Sequence, residues 1–203
     1  MALTLNGSAN TIAGVAVGGL PDGIVDTDML AASAVTGAKS SGLGITHADT
    51  WIMTTNFTSS ALPITSNWEQ INEAHLPDGV LGASMSQSSG VFTFPVTGHW
   101  FLRFQASFRS TVEQDHTGAI IDMTLNNGTD NYPDASSNYS HITRTGGSGS
   151  VYSNVAVSFI VDITDVSNHK VRFGVEVEDS NTTTRGDSEK LLTGANFIRL
   201  GDT

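Results

Sequence analysis

Histidine, carboxylate and arginine side chains are where chemistry would have to begin in this 203-residue chain. The six histidines, His47, His75, His99, His116, His141 and His169, do not fall at metal-ligand spacing, which sets paired ligands roughly two to five residues apart. Each reads more simply as a loop or surface histidine. Acidic residues gather at Asp162 and Asp165 and again at Glu176, Glu178 and Asp179, and the stretch from Asn126 to Asp134 is rich in Asp and Asn oxygens. Calcium is the ion such a supply suits, because a hard cation takes several oxygen ligands. No EF-hand pattern accompanies it and solvated carboxylates are the simpler reading, so no cofactor is expected and calcium is the one candidate.

Catalysis would need a nucleophile beside a base, or two carboxylates in contrasting environments. No GxSxG, HExxH or P-loop pattern occurs, and no catalytic residue is assigned. The chain is expected not to be an enzyme. Arg185-Gly186-Asp187-Ser188 spells a cell-adhesion tripeptide, but a match of three residues arises readily by chance. The Asn-X-Ser/Thr triplets at Asn6, Asn56, Asn127, Asn138 and Asn181 matter only in a secretory pathway. Binding chemistry is better served by the polar, Tyr-containing stretch Tyr132 to Tyr139. Sugars set apolar ring faces against aromatics and hydroxyls against amides, which makes Tyr132, Asp134, Asn138 and Tyr139 the candidate contacts, with an ordinary hairpin loop as the bland alternative.

The charge balance restricts the partners. Twenty acidic and nine basic residues give a formal charge of −11, which repels nucleic acid and anionic membrane alike. Without cysteine there is neither a disulfide framework nor a zinc–thiolate site, which fits assembly in a reducing cytoplasm. No run approaches the ~20 apolar residues that span a bilayer. The start, MALTLNGSANTIAGV, lacks the basic opening and continuous apolar stretch of a signal peptide, so export by its own address is not expected.

The elements that must carry these residues divide near residue 50. Residues 1 to 50 contain no Phe, Trp or Tyr and a single basic residue, Lys39. Such a segment is poorly suited to build its own core, and identical copies are its simplest packing partner. Pro21-Asp22-Gly23 reads as a turn. Asp26, Thr27 or Asp28 caps a short predicted helix through Met29, Leu30, Ala31, Ala32, Ala34 and Val35, ended by Gly37.

From Trp51 the period becomes two. Trp100, Leu102, Phe104, Ala106 and Phe108 share one predicted face, with Phe101, Arg103, Gln105 and Ser107 on the other. Val151, Ser153, Val155, Val157, Phe159, Val161 and Ile163 form a second inward set, with Ser153 its only polar member. Val171, Phe173, Val175 and Val177 form a third, and Ile121, Met123 and Leu125 a fourth, opposed by Asp122, Thr124 and Asn126. Trp51 to Phe57, Val91 to Val96 and Ala195 to Leu200 are weaker strand candidates, and NNGTDNYPDASSN and TGGSGS read as loops. The expected class is all-β, an antiparallel two-sheet jelly-roll sandwich over 48–203, preceded by a short, mostly non-globular segment over 1–47.

The run SSGVFTFPVTGHWFLRFQASFRS, Ser88 to Ser110, resembles the signature of the complement globular-head family within the tumour-necrosis-factor-like jelly-roll superfamily. There a strand ending in Pro turns through Gly into an aromatic-rich strand. The closing LLTGANFIRLGD is similar to that family's last strand, and the resemblance covers about residues 50 to 203. It implies a homotrimer with one sheet of each subunit near a threefold axis. The outward apolar residues Phe101, Tyr152 and Ile160 are the expected trimer contacts.

The segment LTLNGSANTIAGVAVGGLPDGIVDTDMLAASAVTGAK is similar to the N-terminal segments of tail-fibre and other virion appendage proteins of tailed bacteriophages. The two resemblances together imply a virion structural protein, a homotrimeric fibre or spike subunit assembled in the host cytoplasm. Its N-terminus would dock on other virion proteins and its head would touch a host surface glycan or protein. A capsid decoration protein, cement or head fibre, is the alternative. A depolymerase is disfavoured by the lack of an internal repeat, and a secreted ligand by the lack of a signal peptide.

Overall fold

The computed structural model describes residues 4–6, 11–13, 44–71, 79–144 and 149–203. The chain divides into two compact units, Met1–Leu43 and Gly44–Thr203. In the first, β1 (Thr4–Asn6) and β2 (Thr11–Ala13) pair antiparallel, with Thr4 opposite Ala13. The turn expected at Pro21-Asp22-Gly23 and the helix expected over Met29 to Val35 lie outside the described residues.

The second unit is built from β3 (Ala48–Met53), β4 (Phe57–Thr58), β5 (Trp68–Gln70), β6 (Ser86–Ser88), β7 (Val91–Thr93), β8 (Gly98–Ser110), β9 (Gln114–Thr124), β10 (Asp134–Ile142), β11 (Val151–Ile163), β12 (Lys170–Val177), β13 (Thr183–Thr184) and β14 (Gly194–Gly201). One sheet has β11 at its edge beside β8. The far side of β8 is shared by β14 and the short β13, which pair in turn with β3 and β4, and β5 closes the row. The other sheet runs β10-β9-β12-β7-β6. Pairing is antiparallel throughout, and the chain passes from sheet to sheet between β5 and β6, β7 and β8, β8 and β9, β10 and β11, β11 and β12, and β12 and β13. This is the expected two-sheet jelly roll.

The alternation built into the sequence places the core between the sheets. Trp100, Leu102, Phe104, Ala106 and Phe108 of β8 are all buried and face Phe92, Val171, Phe173 and Val175 of the other sheet. Phe104 and Phe173 stack at 5.1 Å, and Phe92 meets Phe173 and Phe197 at 5.4 Å each. Trp51 and Trp68 set their edges against Phe92 at 5.4 and 5.1 Å. Trp68 satisfies its indole N–H on the Ile64 carbonyl at 2.8 Å. Rings bury the most area per residue, about 1.5–3 kcal/mol for each fully buried Phe, so this cluster is the main reason the sheets close face to face. Ser153, the polar member of the β11 set, is buried and accepts a hydrogen bond from Thr117 Oγ1 at 3.3 Å.

Between Pro95 and Gly98 the chain reverses from β7 into β8, as the aromatic signature suggests. Gly98 sits at φ 135°, and a Cβ there would stand 2.4 Å from the Gly201 carbonyl oxygen, so only glycine lets β8 start beside the end of β14.

Two expectations need correction. Residues Asp134 to Tyr139, expected as loop, are strand: the connection after β9 ends at Pro133, and β10 pairs with β9 from Asp134 opposite Asp122 to Ile142 opposite Gln114. Its Ser and Asn content hid it, because an edge strand with little apolar area shows no alternation. Second, β9 is buried on both faces: Asp122 is 2% exposed while Leu125, expected inside, lies beyond the strand end and is 59% exposed. His169 lies in the β11–β12 loop, as a loop histidine should, and is buried there; its backbone N–H bonds the Asp165 carbonyl at 2.8 Å.

Candidate functional site

The outer face of the β11-β8-β14-β3 sheet carries an unbroken apolar row. Inward residues on β8 and β11 share one parity, so the other parity must face out. Ile160 lies directly opposite Phe101, Phe101 opposite Ile198, and Ile198 opposite Ala48, which bridges to Leu81. Ile160 is 59% and Leu81 48% exposed, and Phe101, Ile198 and Ala48 are half-buried. Two of the residues expected at a trimer contact, Phe101 and Ile160, are thus brought into one rung. Ile198, Ala48 and Leu81 were missed, because their place beside Phe101 depends on strand order.

Tyr152, the third expected contact, is at the other end of β11, opposite Arg109. Its exposed ring lies under the Arg185 guanidinium at 5.0 Å. Arg185 reaches it across β8 over Ser107, whose hydroxyl lies 3.4 Å from the Arg185 Nη1 donor.

Next to the apolar row is a polar one. Ser158, Arg103, Asn196 and Thr50 stand opposite one another across the same four strands. Asn196 Nδ2 donates to Thr50 Oγ1 at 2.9 Å, and Arg103 Nη1 donates to Gln105 Oε1 at 2.7 Å. Gln105 is oriented by its own Nε2, which donates to the carbonyls of Leu191 and Leu192 at 3.2 and 3.4 Å.

The four residues proposed from sequence as a binding loop occupy separate environments. Tyr132 covers Arg172, whose guanidinium is 4.4 Å from the ring centre and 2.9 Å from Asp122 Oδ2. Burial pushes the Asp122 carboxyl up against the opposing pull of Arg172. Asp134 opens β10 and lines, with Met123, Leu125, Ala135, Phe159 and Val161, a cleft of about 270 Å³. Asn138 has a structural task. Its Nδ2 donates to the Ala156 carbonyl at 2.9 Å, and Ser136 Oγ reaches the Ser158 carbonyl at 3.4 Å, which stitches edge strand β10 to edge strand β11. Tyr139 points the other way, its ring over Gly118 and its hydroxyl donating to Glu176 Oε2 at 2.9 Å.

The remaining chemistry-bearing residues are largely engaged in turns. Asp165 Oδ1 accepts the N–H groups of Ser167 and Asn168 at 2.8 and 3.3 Å, and Asn181 N–H bonds Asp179 Oδ1 at 2.7 Å. Those backbone bonds to Ser167 hold the Asp165 carboxyl below its ordinary value. Asn126 Oδ1 accepts from Thr124 Oγ1 and the Asp130 N–H at 2.8 and 3.1 Å, and Asp130 Oδ1 from the Tyr132 N–H at 3.1 Å. Among the described residues no group of three His, Cys, Asp or Glu converges as metal ligands would.

The adhesion-like tripeptide is built into the sheet wall. The Arg185 N–H bonds Ser107 O, the Gly186 N–H bonds Asn56 Oδ1 and the Asp187 N–H bonds Met53 O, at 2.8, 2.9 and 2.7 Å.

No family model matches the sequence, and no curated protein matches it. Among solved structures, the Eiger TNF of S. frugiperda is similar with a TM-score of 0.52 at 12% identity, over 77% of this chain and 93% of that one. Murine APRIL, in a crystal at pH 8.5, is matched at 12% identity over 76% and 98% of the two chains with a TM-score of 0.45. The Eiger match shows that the head has a tumour-necrosis-factor-like jelly-roll fold.

Proposed function

We propose that this chain is a structural subunit of a tailed-bacteriophage virion, a homotrimeric fibre or spike protein with no catalytic step. Residues 1–47 dock on other virion proteins, and the jelly-roll head over 48–203 projects toward the host surface. Assembly takes place in the host cytoplasm without nucleic acid or membrane insertion. The observation that carries self-association is the apolar row Ile160–Phe101–Ile198–Ala48–Leu81 on the outer sheet face, flanked by the polar row Ser158–Arg103–Asn196–Thr50. A row of this kind across four strands is the pattern of a surface meant to be covered. The virion mounting rests on the likeness of the first 45 residues to appendage N-termini.

On this reading Phe101 and Ile160 sit in the contact between subunits and Tyr152 at its margin. Tyr132, in the loop before β10, and Asp134, Asn138 and Tyr139, on β10, are the residues proposed to meet a host glycan or protein, each from its own environment. Calcium remains a candidate ligand of the Asn126 to Asp134 oxygens. The alternative, a decoration trimer on the capsid shell, uses the same self-association and differs in location and copy number.

Two measurements test the proposal. Sedimentation of the purified full chain is expected to give a trimer, and a monomer at micromolar concentration would overturn it. Removing residues 1–47, with circular dichroism to verify the folded head, is expected to abolish incorporation into particles. Incorporation of that variant would refute the docking role, and many copies on the shell by mass spectrometry of virions would favour decoration.

A further inference from the structure

Arg103 has no carboxylate partner within 4.0 Å among the described residues, and neither do Arg109 and Arg185, the second of which lies over the Tyr152 ring. Arg172 meets Asp122 at 2.9 Å, and Arg199 pairs with Asp202. The one hydrogen bond of the Arg103 side chain is to the neutral Gln105 amide. A guanidinium has five N–H donors and does not shed its charge in a protein, so most of its hydrogen-bonding capacity and all of its charge are unanswered. It is also half-buried, one rung from Phe101 and Ile160.

A cavity of about 150 Å³ adjoins it, lined by Arg103, Gln105, Asn154, Ala156 and Leu192. Asn154 is exposed and its amide makes no hydrogen bond among the described residues, leaving a second set of donors at the rim. Gln105 is fixed by the carbonyls of Leu191 and Leu192, so its Oε1 holds the guanidinium from one side only. The nearby carboxylate of this face, Asp162, lies beyond the apolar row, 3.9 Å from His99. In a chain of net charge −11, a half-buried guanidinium without a carboxylate partner, beside a small cavity and amide donors, is a place for a small anion.

We infer that this cavity binds a compact inorganic oxyanion, phosphate or sulfate, on Arg103 and Asn154, and that the bound anion favours self-association. The inference rests on the proposed covering of the apolar row by other copies of the chain. Covering the row removes Arg103 from water, and a desolvated charge needs a counter-charge. The anion supplies it. It also keeps the guanidiniums of neighbouring copies from opposing assembly.

The test is sedimentation of the full chain in chloride and in phosphate or sulfate at matched ionic strength, for the wild type and for Arg103→Met. Wild-type association is expected to tighten on the order of tenfold with the oxyanion, and Arg103→Met to associate equally in all buffers. Phosphorus NMR of phosphate is expected to broaden with wild type and not with Arg103→Met or Asn154→Ala, a readout independent of assembly. Equal wild-type association in chloride and oxyanion, with no phosphate broadening, would overturn the anion site and leave self-association standing. So would association in chloride lost on Asp162→Asn, which would make a neighbouring carboxylate the counter-charge. A monomer in every buffer would overturn the self-association reading and this inference with it.

Discussion

The Tyr139 hydroxyl donates to Glu176 Oε2 at 2.9 Å across the bare backbone of Gly118, so a residue of β10 bonds one of β12 over the strand between them. A Cβ on residue 118 would stand 2.5 Å from Tyr139 Cε1. Gly118→Ala is therefore expected to lift the ring and lose the bond, at a cost of roughly 1–3 kcal/mol in urea unfolding. Tyr139→Phe, which keeps the ring, is expected to cost about 0.5–1.5 kcal/mol. An alanine variant as stable as wild type would mean that the ring is not held there.

Phe101→Glu and Ile160→Lys each place a charge in the apolar row. Because both side chains point outward, unfolding free energy is expected to change by only about 0.5 kcal/mol while self-association is lost. The double variant puts opposite charges on directly facing residues and should regain any lost stability without regaining association. Sedimentation and urea titration separate the two quantities, and undiminished association in either single variant would rule out the row as the contact.

At the centre of the core, Phe173 touches Phe92, Phe104 and Phe197 with ring centres 5.4, 5.1 and 5.7 Å away. Phe173→Ala is expected to cost about 3–5 kcal/mol, the range for a buried ring whose neighbours cannot close the gap. A loss below 1 kcal/mol, measured by urea unfolding, would mean the sheets collapse onto the cavity.

Asn138→Ala removes one stitch between β10 and β11. The expected cost is about 0.5–1.5 kcal/mol, with faster amide exchange along β11 near Ala156. Unchanged exchange there would show that the seam is held by packing alone.

Burial, with Arg199 beside it, lowers the pKa of His47 below its ordinary 6.5. The folded state therefore prefers neutral His47, and in the window below 6.5 the unfolded chain binds more protons. The resulting stability is present above 6.5 and is lost as pH falls through the folded value. Urea midpoints measured from about pH 8 to about pH 5 are expected to fall less steeply for His47→Gln than for wild type. Identical slopes would contradict the shift.

The β8 and β11 strands were legible because every second residue meets the same core, so one local pattern reports a global fact. The same rule made Phe101 and Ile160 readable as outward and Ser153 as buried. It failed at β10, where Ser136 and Asn138 serve a seam between sheets and leave no apolar period. It failed again at Asp122, which Arg172 pairs with beneath Tyr132, and at Thr124, whose hydroxyl is taken up by Asn126 and Gly128 of the following turn. Closeness along the chain between Tyr132 and Tyr139 likewise did not give Tyr132, Asp134, Asn138 and Tyr139 common neighbours, because Tyr132 lies in a loop and the other three sit on strand β10.

From the sequence alone came the all-β class, the inward aromatic sets and the jelly-roll likeness, because side-chain alternation and turn residues act within a few positions of each other. The tertiary structure alone decided that Ile160, Phe101, Ile198, Ala48 and Leu81 form one row, that Arg103 stands beside it without a carboxylate, and that Arg185-Gly186-Asp187 is held in the sheet wall. Those facts depend on strand order and register, set by hydrogen bonds between residues far apart in the chain, and no local pattern of residues encodes them.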